Sequence, residues 1–303
     1  MEERRPTGRE ADPPTRIAVA IEAGRAAPGL YLVATPIGAA RDITLRALDL
    51  LNTADLLAAE DTRTLRHLMA IHGIPLRGRR IVAYHEHNEA GGAGPVLAAL
   101  AAGQVVAYAS EAGTPLVSDP GFRLAREAIA AGASVHAAPG ASAVLAALTV
   151  AGLPSDRFLF AGFAPTADGA RRRWLDGLLG VDATLVLFES PRRVRDLLGN
   201  LCEKTGERQV VICRELTKRF EEVIRGTAQA LLADPRTEDP KGEIVVLIDR
   251  AAVAGPSLEE AGALMAAARG RGLSARDAAR EVAEATGLGR RELYQLGLKE
   301  GRE

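Results

Sequence analysis

The sequence predicts an α/β protein: two successive domains of strands and helices, followed by a small helical module at the C-terminus. Short apolar runs alternate with longer segments of helical periodicity, which is typical of sheets covered by helices. Several of these runs end in loops rich in Gly, Pro and polar residues. The last part of the chain, residues 258–303, contains no strand-like run and predicts three short helices.

The amino-acid composition limits the classes of protein to which this chain can belong. A chain of 303 residues with 47% hydrophobic content can form two proper cores. The net charge of -1 excludes a bulk polycation, so contact with a nucleic acid requires a local basic patch. Cys202 and Cys213 have no metal-site spacing and are expected to be free thiols in a reducing cytoplasm. No apolar run approaches the roughly 20 residues needed to cross a membrane.

Changes in composition predict the domain limits. Residues 1–28 mix charges and prolines without a signal-peptide core, which predicts a disordered extension. The first α/β domain is predicted at 29–154 and ends near the turn-forming Gly152-Leu-Pro-Ser-Asp156. The second is predicted at 155–250, and a small-residue linker at 251–256 precedes the tail at 257–303.

The first domain is predicted to be a mostly parallel sheet, since its strands alternate with helices. Asp42 or Thr44 can cap the first helix, and Gly73 can end the second. The predicted strands are 30–34, 56–59, 81–84, 105–109 and 134–138; the predicted helices are 45–54, 64–71, 96–102, 122–131 and an Ala-rich helix that ends at 151.

The second half repeats the α/β spacing. Its predicted strands are 157–161, 184–188, 209–213 and 243–249, and its predicted helices are 170–179 and 192–202. The tail is predicted to break at 270–272 and at Gly287, with a capping-box-like start at Ser274. It carries eight Arg or Lys against eight acids, so a packing or dimerisation module competes with a helix-turn-helix that binds nucleic acid.

The loop at 110–121, called here the central loop, is predicted to bind a ligand. It is longer than the roughly two to six residues of most loops between strands and helices. Gly113 and Gly121 allow close backbone approach, and Thr114, Ser118 and Asp119 supply polar groups. Together with loops 35–42, 60–63 and 139–142, it would surround one pocket at the carboxyl ends of the strands.

Several chemistries are disfavoured because their motifs are missing. There is no phosphate-binding P-loop, no dinucleotide G-x-G-x-x-G after the first strand, and no nucleophile elbow. His85-Glu86-His87 has no evident third ligand, so no metal site is predicted. Glu60-Asp61-Thr62-Arg63 can act in two ways: Asp61 as a helix cap, or an acid of the pair as a general base beside Arg63.

A series of long motifs in a fixed order resembles the family of ribosomal RNA small subunit methyltransferases I, a branch of the tetrapyrrole-methylase-like enzymes. The resemblance covers about 30–249, and the C-terminal helices resemble the helix-turn-helix tail of that family more weakly. It is carried by Tyr31-Leu-Val-Ala-Thr-Pro-Ile-Gly38, Arg41-Asp-Ile-Thr-Leu-Arg-Ala47, Glu60-Asp-Thr-Arg63, Tyr84-His-Glu-His-Asn-Glu89, Ala112-Gly-Thr-Pro-Leu-Val-Ser-Asp-Pro-Gly121, Phe158-Leu-Phe-Ala-Gly-Phe163, Glu189-Ser-Pro-Arg-Arg193 and Arg214-Glu-Leu-Thr-Lys218.

The resemblance implies a fold and an activity. Two tetrapyrrole-methylase-like α/β domains would enclose a cleft for S-adenosylmethionine, and the protein would be a cytoplasmic homodimer. The implied reaction is 2′-O-methylation of a cytidine ribose in the decoding centre of 16S rRNA. The implied partner is therefore 16S rRNA or the small ribosomal subunit, with neither DNA nor membrane expected.

The resemblance also assigns residues. The implied cofactor site comprises Pro36, Ala112, Gly113, Thr114, Val117, Ser118, Ser142, Ala143 and Phe163. The chain departs from the family pattern at Glu111, where Asp is expected, at Ala39-Ala40 in place of Asn-Leu, and at Ala164 in place of Leu. These departures concern details of cofactor contact or substrate fit.

Methyl transfer to a weakly nucleophilic ribose hydroxyl calls for a proton acceptor. Asp61 is the first candidate and Glu60 the second, with Arg63 orienting one of them; the choice stays open. Arg192, Arg193, Arg214 and Lys218 are the candidates for contact with RNA phosphates, although charged runs are often only solvated faces. Two alternatives remain: a methyltransferase acting on a tetrapyrrole, and an assembly factor that binds rRNA without methylating it.

Overall fold

The computed structural model describes residues 24, 26–85, 89–118, 121–251 and 258–299. Within these ranges the chain forms two five-stranded sheets with their helices, and three further helices at the C-terminal end. The predicted fold class is therefore confirmed. The predicted disordered extension at 1–28 lies largely outside the described residues, as do Glu86, His87, Asp119 and most of the linker at 251–256.

The first sheet is parallel throughout, as predicted. Its strand order is β3-β2-β4-β1-β5. Every residue of β4 is buried, because helices cover both faces of this central strand. The strands are β1 (Gly29–Val33), β2 (Leu56–Ala59), β3 (Ile81–Ala83), β4 (Val105–Ala109) and β5 (Val135–Ala138).

Five helices connect or follow these strands. The side chain of Thr44 caps the first by accepting a hydrogen bond from the Ala47 N–H at 3.2 Å. The third begins well before the predicted residue 96. Its Gly92 packs closely on β3, where a Cβ would lie 2.7 Å from the Ala83 carbonyl oxygen. The helices are α1 (Leu45–Thr53), α2 (Thr62–Ile71), α3 (Glu89–Ala101), α4 (Phe122–Ala130) and α5 (Ala143–Ala151).

The second sheet is mixed, with the order β6-β7-β10-β8-β9. Only β6 and β7 pair in parallel; β10 runs antiparallel to both of its neighbours, and β9 is antiparallel to β8. The even spacing of strands in the sequence did not reveal this, because strand direction depends on connections that spacing does not specify. The strands are β6 (Phe158–Phe163), β7 (Thr184–Glu189), β8 (Gln209–Arg214), β9 (Glu222–Thr227) and β10 (Ile244–Ile248).

The sequence analysis missed β9 and the short helix that follows it. As the edge strand of its sheet, β9 is mostly half-buried and carries Glu222 and Arg225, so it lacks the apolar run of an inner strand. Thr227 caps the short helix through its hydroxyl. The helices of this half are α6 (Asp168–Leu178), α7 (Val194–Thr205) and α8 (Ala228–Ala233).

Helix α5 joins the two halves of the molecule. It lies before the predicted limit at residue 154, yet Val144, Ala147 and Leu148 share a buried cluster with side chains of β7, β8 and β10. Arg225 of β9 donates to the carbonyl oxygens of Val150 and Ala151, which satisfies acceptors at the end of the helix. The C-terminal end of α5 is thereby tied to the second sheet.

The C-terminal module has its own small core. Its helices are α9 (Leu258–Gly270), α10 (Ala275–Thr286) and α11 (Arg290–Lys299), and the breaks at Gly270 and Gly287 match the prediction. Met265, Ala279 and Leu293 are buried between them. No helix within the described ranges combines the length and apolar character needed to span a bilayer.

We predict that α5 supports the fold mainly through its face toward the second sheet. Leu148→Ala should lower the free energy of unfolding by about 2–5 kcal/mol, because it leaves a cavity in a buried cluster. Leu145→Ala, on the exposed face of the same helix, should change it by less than about 0.5 kcal/mol. Urea unfolding of both variants measures the difference, and equal losses would contradict the described packing.

Candidate functional site

A cavity of about 490 Å³ lies where the two α/β halves meet. This volume falls within the roughly 300–1,000 Å³ of typical small-molecule sites. One wall comes from the central loop and the start of α5. The opposite wall comes from Phe163, from residues 188–191 at the end of β7, and from residues 242–245 at the start of β10. The cavity therefore lies at the carboxyl edge of the first sheet, where sheets of this kind bind ligands.

Most of the residues predicted for a cofactor site surround this one cavity. Pro36 does not line it, although its neighbour Ile37 does. The structure thus brings together residues from distant parts of the sequence, while their role in binding stays a prediction. The lining residues from the predicted set are Ala112, Gly113, Thr114, Val117, Ser118, Ser142, Ala143 and Phe163.

The central loop is held in place by hydrogen bonds from three sides. Thr35 and Gly113 exchange two backbone bonds, with N···O distances of 2.9 and 3.1 Å. The Ser110 hydroxyl donates to the Gly113 carbonyl at 2.6 Å, and the Thr114 hydroxyl donates to the Ala141 carbonyl at 2.9 Å. These bonds lie within the protein, so residues 110–114 of the loop are held by contacts that need no ligand.

The backbone of the cavity walls is strained at specific points. Leu116 and Ser118 adopt positive φ values of 72° and 62° in the central loop, and Glu215 and Thr217 have values of 51° and 64° across the cleft. A positive φ is unfavourable for residues other than glycine, and such strain costs about 1–3 kcal/mol per residue. Strain of this kind concentrates at binding sites, which supports a functional role for both loops.

The charged residues that line the cavity are acidic. Glu111, Glu189 and Glu243 line it, and no Lys, Arg or His is found among its described lining residues. Such a surface repels phosphate groups and suits a ligand that is neutral or positively charged. Within the described ranges there is also no group of three potential metal ligands.

Glu189 is the most unusual of the three carboxylates, and the sequence analysis did not assign it a role. Its side chain is fully buried at the end of β7. One oxygen, Oε1, accepts from the Ser190 N–H at 2.8 Å and lies 2.7 Å from Arg193 Nη2, whereas Oε2 has no partner among the described residues. Burial raises the pKa of Glu189, against the opposing effects of Ser190 and Arg193. A buried acceptor without a donor therefore borders the cavity.

Asp61 is engaged as the N-cap of α2. Its carboxylate accepts from the Arg63 and Thr64 N–H groups at 2.6 and 3.3 Å. It also pairs with the exposed Arg63 guanidinium at 3.1 Å. The Arg63 hydrogen bonds lower the pKa of Asp61, because they favour the ionised carboxylate. Both residues thus have a structural task, and neither lines the cavity described above.

Glu60 lies closer to the cavity than Asp61 does. Its carboxylate accepts a hydrogen bond of 3.2 Å from the N–H of Glu111, which lines the cavity wall. Burial raises the pKa of Glu60, and the neighbouring Glu111 charge raises it further. A raised pKa makes a carboxylate a stronger proton acceptor once it is ionised. Glu60 does not line the cavity itself, but its hydrogen bond with the backbone of a lining residue and its raised pKa make it a better candidate base than Asp61.

Three of the four predicted phosphate-binding cations are already paired. Arg193 contacts the buried Glu189, and Arg214 lies 3.1 Å from Glu222. Lys218 Nζ lies 2.9 Å from Glu215 and 3.0 Å from Glu243. Arg192, by contrast, is exposed and makes no ion pair with a described residue.

The loop that contains Lys218 touches the first domain. The Ala39 N–H donates to the Thr217 hydroxyl at 3.0 Å. A Cβ at Gly38 would lie 2.5 Å from Lys218 Cγ, so only glycine fits there without a shift. This contact closes one side of the cleft. It uses the backbone of Ala39, so the departure from the family residue at this position does not remove it.

The cysteines are free, as predicted. Burial raises the pKa of Cys213 to about 12, so its thiol is unreactive near neutral pH.

Two family models match the chain. One is described as tetrapyrrole (corrin/porphyrin) methylases and matches residues 29–232. The other is described as the RsmI C-terminal HTH domain and matches residues 255–301. Between them they cover the helical module and every strand of both sheets except β10.

The chain is also similar to curated proteins of bacteria over most of its length. It is 52% identical to the ribosomal RNA small subunit methyltransferase I of Mesorhizobium japonicum, covering 88% of this chain and 90% of that protein. It is 42% identical to the proteins of the same name from Synechocystis sp. (89% and 97% covered) and Mycobacterium tuberculosis (90% and 96% covered).

Solved structures with low sequence identity share the fold. A cobalt precorrin-4 methyltransferase from cobalamin biosynthesis has a TM-score of 0.55 at 18% identity, covering 73% of this chain and 94% of its own. A diphthine synthase has a TM-score of 0.57 at 16% identity, covering 73% and 89%. At such identities the likeness concerns the two-sheet architecture alone.

Proposed function

The chain belongs to the tetrapyrrole (corrin/porphyrin) methylase family and is a methyltransferase, and we propose that it methylates the 2′-hydroxyl of a cytidine in the decoding centre of 16S rRNA with S-adenosylmethionine. Methylation of ribosomal RNA is supported by relatives of 40–52% identity that carry this activity in their name. The cytidine, the 2′ position and the decoding centre follow from the motif resemblance. The proposal includes a homodimer in the cytoplasm, on the same ground.

The acidic cavity is the observation that carries the cofactor assignment. S-adenosylmethionine has a positive sulfonium, an ammonium and a carboxylate, and no phosphate. Glu111, Glu189 and Glu243 suit its net positive charge, while the backbone of Ala112 to Thr114 can approach it closely. A phosphorylated cofactor would bring negative groups against three carboxylates. When bound, S-adenosylmethionine supplies an electrophilic methyl group.

The chain's own residues then have to position the acceptor and remove its proton. Phe163, Phe188 and Val245 make one side of the cavity apolar, which helps to exclude water. Glu60 is the proposed proton acceptor: it would take the proton of the ribose hydroxyl as the oxygen–carbon bond forms and the carbon–sulfur bond to the sulfonium breaks, and would return the proton to solvent afterwards. Asp61 and Arg63 fix the start of α2 and hence the backbone next to Glu60.

The cations of the second half divide into two proposed roles. Arg192 is the proposed phosphate contact beside the cavity, because it is exposed and makes no ion pair with a described residue. Arg193, Arg214 and Lys218 hold the carboxylates and loops that shape the cleft.

The activity can be tested on small ribosomal subunits from cells that lack this protein. The purified protein and labelled S-adenosylmethionine should place label on one cytidine ribose, located by nuclease digestion and mass spectrometry. Cofactor binding without transfer to any rRNA nucleotide would refute the proposal. It would then favour a tetrapyrrole acceptor or an assembly factor that does not methylate.

We predict different effects for the two neighbouring acids. Glu60→Gln should lower kcat by about 10²–10⁴-fold and leave cofactor affinity unchanged, because it removes the proton acceptor. In the unaltered enzyme, kcat/KM should fall as the pH decreases through the raised pKa of Glu60, since only the ionised carboxylate accepts a proton. Asp61→Asn should keep most of the activity, because Asn also caps helices. A large loss in Asp61→Asn with full activity in Glu60→Gln would reverse the assignment.

We predict that Glu189 contributes to cofactor affinity. Glu189→Gln should weaken S-adenosylmethionine binding by about 10- to 100-fold, the range expected for loss of a charge-assisted hydrogen bond. Glu243→Gln is the matched control, because this second lining carboxylate is largely exposed and its loss should have a much smaller effect. Calorimetric titration measures both affinities, and thermal unfolding checks that Arg193 without its partner does not disrupt the fold. Equal affinities in both variants would exclude a direct role for Glu189.

A further inference from the structure

A second concave surface lies in the C-terminal module, between α10 and α11. Its volume is about 530 Å³, and it is lined by Arg276, Ala279, Arg290, Arg291 and Tyr294. The three arginines are exposed, and so is Tyr294, at 41%. We call this surface the basic groove. None of its residues lines the cavity between the sheets.

Charge in this module is segregated, although its sequence is balanced. Outside the groove, Arg271 pairs with Glu281, and Arg280 lies 3.4 Å from Asp277. The arginines of the groove make no ion pair with any residue in the described ranges, and no acid lines the groove there. The equal numbers of basic and acidic residues in the whole tail therefore do not reveal this local positive surface.

The backbone adds to the positive character of the groove. Arg290 and Arg291 form the first turn of α11, where the helix dipole contributes about half a positive charge. Arg276 extends from the first turn of α10. Two helix N-termini and three guanidinium groups thus share one surface.

The groove is fixed in shape by the core beneath it. Ala279 and Leu293, from the two helices that form it, are fully buried. A Cβ at Gly297 would lie 2.7 Å from the end of Met265, which shows how closely α11 packs on α9. The arginines are therefore presented by a packed scaffold, which limits the entropy lost on binding.

We propose that the basic groove binds the sugar–phosphate backbone of the rRNA substrate, as a docking site separate from the methyl-transfer cavity. Guanidinium groups bind phosphate oxygens with two hydrogen bonds, and an exposed tyrosine beside them can stack on an unpaired base. The inference rests on the proposed function for its substrate. Because the groove does not touch the cavity, it sets affinity for RNA and leaves the chemical step unchanged.

The test compares two triple variants of the full chain. Arg276→Gln, Arg290→Gln and Arg291→Gln remove the charge of the groove, while Arg269→Gln, Arg271→Gln and Arg280→Gln remove the same charge from elsewhere in the module. Binding to small subunits lacking the modification is measured over a series of salt concentrations, together with KM and kcat for methylation. Each phosphate contact contributes roughly 0.7–0.9 to the steepness of log K against log salt, so the groove variant, which loses three arginines, should lower this slope by about 2–3. Its KM for subunits should rise at least tenfold, with kcat and S-adenosylmethionine affinity unchanged.

Further variants separate the groove from general charge and folding effects. Replacing the same three arginines by lysine should restore most of the salt slope, and Tyr294→Leu should weaken binding several-fold without changing that slope. The docking role is refuted if both triple variants lose affinity equally, or if the groove variant binds as the unaltered protein does. A failure of the unaltered protein to methylate would count against the proposed function. It would not decide the docking role of the groove, because the binding measurement does not require turnover.

Discussion

The two backbone hydrogen bonds between Thr35 and Gly113 are the constraint on which the rest of the site depends. They fasten the central loop to the end of β1, and Gly113 can accept the geometry because its φ of 81° favours glycine. From this fixed point the loop runs through the strained Leu116 and Ser118 to form one wall of the cavity. The same loop places the Glu111 N–H where it binds Glu60. One short contact between two loops thereby positions both the binding surface and the candidate base.

The opposite wall depends on pairs of opposite charge. Glu189 is held by Arg193, and Glu243 by Lys218, so two of the three carboxylates at the cavity have a cation behind them. Arg193 offsets part of the cost of burying Glu189, and neither cation lines the cavity itself. Basic residues that look like phosphate contacts in the sequence therefore explain how an acidic cavity is maintained. Positive surface for RNA has to be found elsewhere, at Arg192 and in the basic groove.

Much of the fold could be predicted from the sequence, because buried strands such as β4 are continuous apolar runs and the loops after them are rich in Gly and Pro. Most of the residues of the cavity wall were predicted from the motif resemblance and not from local sequence patterns, because no local pattern relates Ser118 to Phe163. Strand β9 was missed because Glu222, Arg225 and Gly226 interrupt it and leave no continuous apolar run to detect. Two further features depend on the folded arrangement and cannot be found by counting charges in the sequence. They are the pairing of Lys218 with Glu243 and the exposure of Arg276 next to Arg290.

Glu60 and Asp61 illustrate how the fold separates two identical functional groups. They are adjacent in the chain, yet hydrogen bonds from α2 and Arg63 lower the pKa of Asp61, while burial next to Glu111 raises that of Glu60. A carboxylate that already accepts several hydrogen bonds is stabilised as an anion and is a weak base. One that is partly desolvated, and that accepts a single backbone bond, is a stronger base. Pairs of acids whose environments push their pKa values apart commonly divide structural and chemical tasks, and here the difference in pKa follows from which of the two begins the helix.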